Sequence, residues 1–193
     1  MRKLLKLISK GIAVILVSPL ILATWAGLYL LRSERIFIGC AQLVSLVPDY
    51  IGTYLRVAFY SFTLSECSFT GHIMFGSYIS KQQTRIGRNF YIGAYNIIGL
   101  ADIGANVVIA NNISILSGRR QHNFDDPSRD IMDGHDSFNR LRIGNNVFIG
   151  DRTVIMADIG DHSIIGAGSI VVKEIPQYSV AVGNPARVVK ERG

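Results

Sequence analysis

Residues 143–171 read IGNNVFIGDRTVIMADIGDHSIIGAGSIV, and the pair Ile-Gly recurs in them at Ile143-Gly144, Ile149-Gly150, Ile159-Gly160 and Ile165-Gly166. Upstream the same pair stands at Ile86-Gly87, Ile92-Gly93, Ile98-Gly99 and Ile103-Gly104. Four positions beyond several of these isoleucines comes a modest or small residue, as at Val107, Val147, Thr153, Ser163 and Ser169, giving the pattern aliphatic-Gly-x-x-small-x. A period of six is neither the helical 3.6 nor the plain alternation of a strand. A chain that buries one aliphatic residue in six and turns sharply at the next position, where glycine is permissive, winds as a coil of short flat sides. Three hexads close one triangular turn.

Taken in threes, the inward aliphatics are Cys67-Ile73-Ile79, Ile86-Ile92-Ile98, Ile103-Ile109-Ile115, Ile143-Ile149-Ile155 and Ile159-Ile165-Val171, which predicts about five coils. Every departure from a six-residue step falls after the third hexad of a coil: seven from Ile79, five from Ile98, twenty-eight from Ile115 and four from Ile155. One corner therefore absorbs all the irregularity, and the largest departure adds about twenty-two residues there, a loop over 117–142. Loops of that length in a compact repeat are usually functional or disordered.

From Cys67 to the C-terminus the chain resembles the hexapeptide-repeat acyltransferases, in the xenobiotic and sugar O-acetyltransferase branch. The most specific stretch is IGNNVFIGDRTVIMADIGDHSIIGAGSIVVKEIPQYSVAVGNPARVVKER, above all the ending Gly183-Asn184-Pro185-Ala186-Arg187 after Lys173-Glu174-Ile175-Pro176. The resemblance implies a mainly β fold, a left-handed parallel β-helix that assembles as a homotrimer and transfers an acyl group from acyl-coenzyme A, acetyl-CoA in the first instance. It also implies that a loop histidine removes the proton from the acceptor hydroxyl, so that the hydroxyl oxygen attacks the thioester carbonyl. A neutral imidazole suits that task at cellular pH, its ordinary pKa being about 6.5. His122, in SGRRQHNFDDPSRDIMDGHDSFNR, is the match, with His135 as understudy and Asp125, Asp126 or Asp130 as alternative partners that orient the ring.

For the donor, the resemblance assigns to Asp151 and Ala167 the backbone that faces the pantetheine arm, and to Lys173, Arg187 and Lys190 the contacts with its phosphates. Charge-assisted bonds to phosphate are strong, and arginine can bind it in two-pronged fashion. Arg119 and Arg120 could instead attract an anionic acceptor such as a pyrophosphate-linked lipid sugar. Phe148 departs from the family pattern, in which many members carry tryptophan beside the acetyl site. No metal is expected: carbonic anhydrase chemistry on such a fold needs three histidines suitably spaced, and His72, His122, His135 and His162 contain no close pair at four- or five-residue spacing. The competing reading is a catalytically silent β-helix acting as a binding or scaffolding trimer.

The 193 residues are 49% hydrophobic and only 18% charged, which excludes a disordered chain. Cys40 and Cys67 form neither a disulfide framework nor a metal-spaced pair. The net charge of +6 is weighted by Arg2, Lys3, Lys6 and Lys10, and no nucleic-acid-binding motif follows them. No charge then occurs from Gly11 to Leu31, about 30 Å of helix and so a bilayer's hydrocarbon thickness. The run is longer than a usual signal-peptide core and is not closed by a clear cleavage site, so residues 1–35 are read as a retained membrane anchor. Two topologies fit. The charge flanks alone predict a single span with the remainder outside, whereas Ser18-Pro19 allows a bend and a return, and GIAVILVSPLILATW is similar to the re-entrant helix of monotopic phosphoglycosyl transferases.

Residues 36–66 read as an amphipathic helical linker, with a polar stripe of Asp49, Thr53, Arg56, Tyr60 and Thr63 opposite Ile51, Leu55, Phe59 and Phe62. It fits a helix laid against lipid or one capping the core. Residues 67–193 form the acyltransferase domain. Because acyl-coenzyme A is cytoplasmic, the expectation is a bacterial inner-membrane protein whose catalytic domain faces the cytoplasm and acylates a sugar, one carried on a lipid, in surface glycan assembly. The segment Arg35 to Tyr60 is also similar to one preceding β-helices in peptide-synthetase-like proteins, which adds an amino-group acceptor.

Overall fold

The computed structural model describes residues 2–118, 130 and 138–193. Three helices come first: α1 (Arg2–Leu31), α2 (Arg35–Ser45) and α3 (Asp49–Thr63). The coils follow. The first contains β1 (Glu66–Cys67), β2 (His72–Ile73) and β3 (Tyr78–Ile79), and the second β4 (Arg85–Ile86), β5 (Tyr91–Ile92) and β6 (Ile97–Ile98). The third contains β7 (Ala101–Ile103), β8 (Val108–Ile109) and β9 (Ser114–Ile115), and the fourth β10 (Leu141–Ile143), β11 (Phe148–Ile149) and β12 (Val154–Ile155). The fifth has an isolated bridge at Ile159, then β13 (Ile164–Ile165) and β14 (Ile170–Val171). A partial sixth turn contains Ile175 and β15 (Ser179–Val182), on which β16 (Arg187–Glu191) folds back.

The strands stack into three parallel sheets, β1-β4-β7-β10, β2-β5-β8-β11-β13-β15 and β3-β6-β9-β12-β14, one for each face of a triangular β-helix. Isoleucine lies on isoleucine along each ladder, as in Ile92↔Ile109, Ile109↔Ile149 and Ile149↔Ile165. The aliphatic triples read from the hexads are the residues that fill the coils, and all but Cys67, which is half-buried, are buried. Each such side chain contributes about 1.5–3 kcal/mol. Antiparallel β16 covers the far edge of the β2 face, where an open strand would otherwise invite pairing with another chain.

The glycines do something other than the hexad pattern suggests. The Ile-Gly glycines do not have positive φ; the left-handed residues stand two positions later, as at Asn106, Asn146 and His162 on one corner and Asn112 and Arg152 on the next. Asparagine is the residue other than glycine that tolerates this conformation best. What the glycine supplies is space: a Cβ on Gly150 would come within 2.6 Å of the Ala167 nitrogen, and one on Gly104 within 2.7 Å of the Gly144 oxygen. Adjacent coils lie only about 4.8 Å apart, and a side chain there would push them apart.

The first coil is closed by α2 and α3, with α1 packed on both. Phe37, Phe59 and Tyr60 form a buried aromatic cluster, and the Tyr60 hydroxyl accepts the Ile79 N–H at 2.9 Å. The linker thus caps the core, but with its polar stripe inward. Thr53, Arg56, Tyr60 and Thr63 are buried, while Ile51 and Phe62 are exposed; Asp49 at the start of the helix is exposed and Phe59 of the apolar stripe is buried, so the inversion is not complete. Arg56 explains the inversion. Its guanidinium donates to the carbonyls of Ile73 (2.8 Å), Val47 (2.6 Å), Ser45 (3.2 Å) and Val44 (3.3 Å), holding together the C-terminus of α2, the turn before α3 and the first coil. The last carbonyls of a helix have no partner within it and carry its negative dipole end, so a buried cation is well placed there. Pro19 lies within α1, which continues unbroken on both sides of it.

Candidate active site

The long insertion leaves the corner between the β3 and β1 faces, after the third coil. Its two ends are tied at the base, where Asn139 N–H donates to the Ser117 oxygen at 2.8 Å. His122, His135, Asp125, Asp126, Arg119 and Arg120 lie outside the described residues; Asp130 is described and exposed. The returning end folds back along the corner toward the helical cap. Arg140 pairs with Asp102 at 2.6 Å and donates to the Gln83 carbonyl at 2.8 Å, reaching the corner that follows the first coil. The Lys81 ammonium sits 3.8 Å from the Phe138 ring centroid and pairs with Glu34, in the turn between α1 and α2, at 3.4 Å. Gln83 also donates to Glu34, at 2.6 Å. The foot of the loop is thereby fastened to the cap. Single-sequence reading missed this chain, because its members are spread from Glu34 to Arg140 and only the coiling aligns them.

Asp151 and Ala167 stack on the corner between the β2 and β3 faces, one coil apart and both exposed, with the Gly168 N–H donating to the Asp151 oxygen at 2.8 Å. The Asp151 carboxylate is turned along the ladder, where it accepts from the Asn111 backbone N–H (2.7 Å) and amide (2.9 Å). Those bonds hold its pKa below the ordinary value. Such a shift makes the carboxylate stabilising above the ordinary range, about 3.9, and the contribution disappears as pH falls through the lowered value. Following the Asp151 carboxyl by NMR in a pH titration should therefore give a midpoint below that of an unstructured peptide. In Asn111→Ala, which keeps the backbone N–H and loses only the side-chain amide, it should move part of the way back up.

Arg187, paired across the hairpin with Val182, lies at the end of this same corner, and Lys190 lies further along β16 opposite Val180. Lys173 is exposed one face away, at the corner from which the insertion leaves two coils earlier. The folding thus brings Asp151, Ala167 and Arg187 together and places Lys173 apart from them. On the β2 face the outward positions Tyr91, Val108 and Phe148 form an exposed apolar row, whereas the β1 face presents Glu66, Arg85, Asp102, Arg142, Asp158 and Glu174, with signs mostly alternating. His162 is used structurally: its ring stacks on Tyr178 at 4.7 Å and bonds the Asn146 amide at 2.9 Å. No cluster of potential metal ligands occurs among the described residues.

These coils are a parallel β-helix of hexads, and comparison with known proteins defines it further. A family model described as the hexapeptide repeat of succinyl-transferase matches residues 83–117 and 140–173. The galactoside O-acetyltransferase of Escherichia coli strain K12 is 41% identical over 114 residues, 55% of this chain and 53% of that protein. A maltose O-acetyltransferase structure from Clostridium difficile 630 superimposes with a TM-score of 0.73 at 28% identity, covering 87% of this chain and 91% of the other. A galactoside acetyltransferase solved in complex with coenzyme A gives 0.66 at 31% identity, covering 82% and 80%. The chain belongs to the hexapeptide-repeat acetyltransferase family. It spans about half the length of two of the curated relatives it matches, that galactoside O-acetyltransferase and a putative acetyltransferase of Saccharomyces cerevisiae.

Proposed function

We propose that this chain is an acyl-CoA-dependent O-acyltransferase that moves an acetyl group onto a sugar hydroxyl, working as a homotrimer of left-handed β-helices. His122 takes the hydroxyl proton as the oxygen attacks the thioester carbonyl. The C–S bond then breaks, and the coenzyme A thiolate leaves and receives a proton. Backbone at the Asp151 and Ala167 corner receives the pantetheine arm, Arg187 and Lys190 meet its phosphates, and Lys173 serves the same purpose from a neighbouring corner or subunit. The observation that carries this reading is the likeness over most of both chains to a relative solved with coenzyme A bound.

The acceptor is a sugar carried on a lipid, at the cytoplasmic face of a bacterial inner membrane, in surface glycan assembly. What supports this finer reading is the foot of the insertion, which is fastened through Phe138, Lys81 and Glu34 to the apolar helical cap rather than extending away from it. An acceptor held at that cap reaches the loop across about two to three coils, roughly 10–15 Å at strand spacing.

Calorimetric titration of detergent-purified protein with a panel of acyl-coenzyme A species tests the donor half. Saturable binding of acetyl-CoA, weakened about tenfold or more in an Arg187→Ala, Lys190→Ala double variant, is expected. Absence of binding to every species by intact trimer would overturn the enzyme reading in favour of a silent scaffold.

A further inference from the structure

We infer that the helical cap is a monotopic docking surface for an anionic phospholipid leaflet, with α1 lying in the plane of the interface and neither spanning nor dipping through the bilayer. This rests on the membrane reading above and assigns the surface and its orientation.

The buried line of α1, Ala13, Val17, Thr24 and Gly27, recurs at helical spacing and packs on α2 and α3. The helix is also held near both ends of that line. Lys10 places its ammonium 5.9 Å from the Phe69 ring centroid, and Trp25 donates its indole N–H to the Phe62 carbonyl at 3.1 Å. Phe62 and Phe69 themselves touch, with ring centroids 5.8 Å apart. From Lys10 to Gly27 a helix runs about 25 Å, most of the hydrocarbon thickness. A spanning α1 would therefore carry α3 and the edge of the first coil into lipid, with Asp49, Glu66, His72 and irregular backbone. Hydrocarbon does not admit such groups unless protein or water satisfies them.

The opposite side of α1 is the lipid surface. Ile12, Ile15, Leu16, Leu22 and Leu30 are each more than half exposed. Leu43 of α2, Leu46 just after it and Ile51 of α3 are further exposed apolar residues of the cap. An exposed apolar area of this extent marks an interaction site. Charge identifies the occupant: four basic residues, Arg2, Lys3, Lys6 and Lys10, precede the apolar run, and no acidic residue occurs before Glu34. Anionic headgroups complement that distribution.

Trp25 is the sole tryptophan, so depth can be read by fluorescence. In a Trp25→Phe background, Ile8→Trp, Leu16→Trp and Leu30→Trp variants of the full chain are bound to phosphatidylcholine–phosphatidylglycerol vesicles with bromines at graded acyl depths. All three should be quenched best by the same shallow bromines. Deepest quenching at Leu16→Trp, with shallow values at the other two, would overturn the in-plane orientation in favour of a span or hairpin. Absence of quenching at all three would overturn lipid docking itself. An Ile15→Asp, Leu22→Asp double variant should partition into vesicles about a hundredfold less well. Acetyl-CoA binding measured in detergent on the same proteins should be unchanged, which separates failure of this assignment from failure of the enzyme reading.

Discussion

Arg56→Ala will lose about 3–5 kcal/mol of stability, the largest loss expected from any single side chain in the cap. The guanidinium is fully buried and no carboxylate is among its partners, which are four backbone carbonyls. Burial lowers its pKa to about 10, so it remains charged at neutral pH. A lowered value means that desolvation opposes folding wherever the folded group is charged, at all pH below about 10. The four carbonyls and the end of α2 must offset that penalty. Truncation opens a cavity where α2, α3 and the first coil converge and takes the side-chain donor from the Ile73 and Val47 carbonyls, while the Ser45 and Val44 carbonyls keep the N–H groups of Gly76 and Val47. Chemical denaturation should show the midpoint falling sharply. Arg56→Lys should recover only part of the loss, since an ammonium lacks the planar fork that reaches three separate segments. A midpoint for Arg56→Ala within 1 kcal/mol of the parent would show that the cap does not depend on this side chain.

The difference between what could and could not be read from the sequence is physical. Each coil buries one aliphatic residue per side, and the register is undisturbed along two of three corners, so the triples from Cys67 to Val171 could be placed correctly by counting. The Ile-Gly glycines were legible as special but not as spacers, because a turn and a close approach require the same residue. Their actual role appears only when the next coil is stacked against them, as at Gly150 and Ala167. The stripe on α3 was legible as a stripe but not in its orientation. Amphipathic reasoning sends Arg56 to solvent, and only the convergence of carbonyls from three chain segments makes the interior favourable for it. In the candidate site, Asp151 and Ala167, which the family resemblance singled out, stack on one corner one coil apart. The chain from Glu34 through Lys81 to Phe138 could not be read, because nothing in the spacing of those residues indicates contact.

His122→Ala will lower the rate of acetyl transfer by about 10²–10⁴-fold while leaving acetyl-CoA binding close to that of the parent. A sugar hydroxyl is a poor nucleophile until its proton is removed, and among common side chains only a neutral imidazole is both basic and abundant at cellular pH without large perturbation. Parent activity should rise with pH as the imidazole loses its proton, and the variant's residual rate should lack that limb. His135→Ala, on the same insertion, should cost less than about tenfold; the reverse ranking would transfer the base to His135. The comparison also tests how the loop is held. If the foot at Arg140 and Phe138 positions His122, Arg140→Ala should lower the rate without changing either the pH midpoint or acetyl-CoA affinity, because it displaces the base without altering its chemistry. A rate loss in Arg140→Ala accompanied by weakened acetyl-CoA binding would instead place Arg140 in the donor site, on a different face from the corner formed by Asp151 and Ala167.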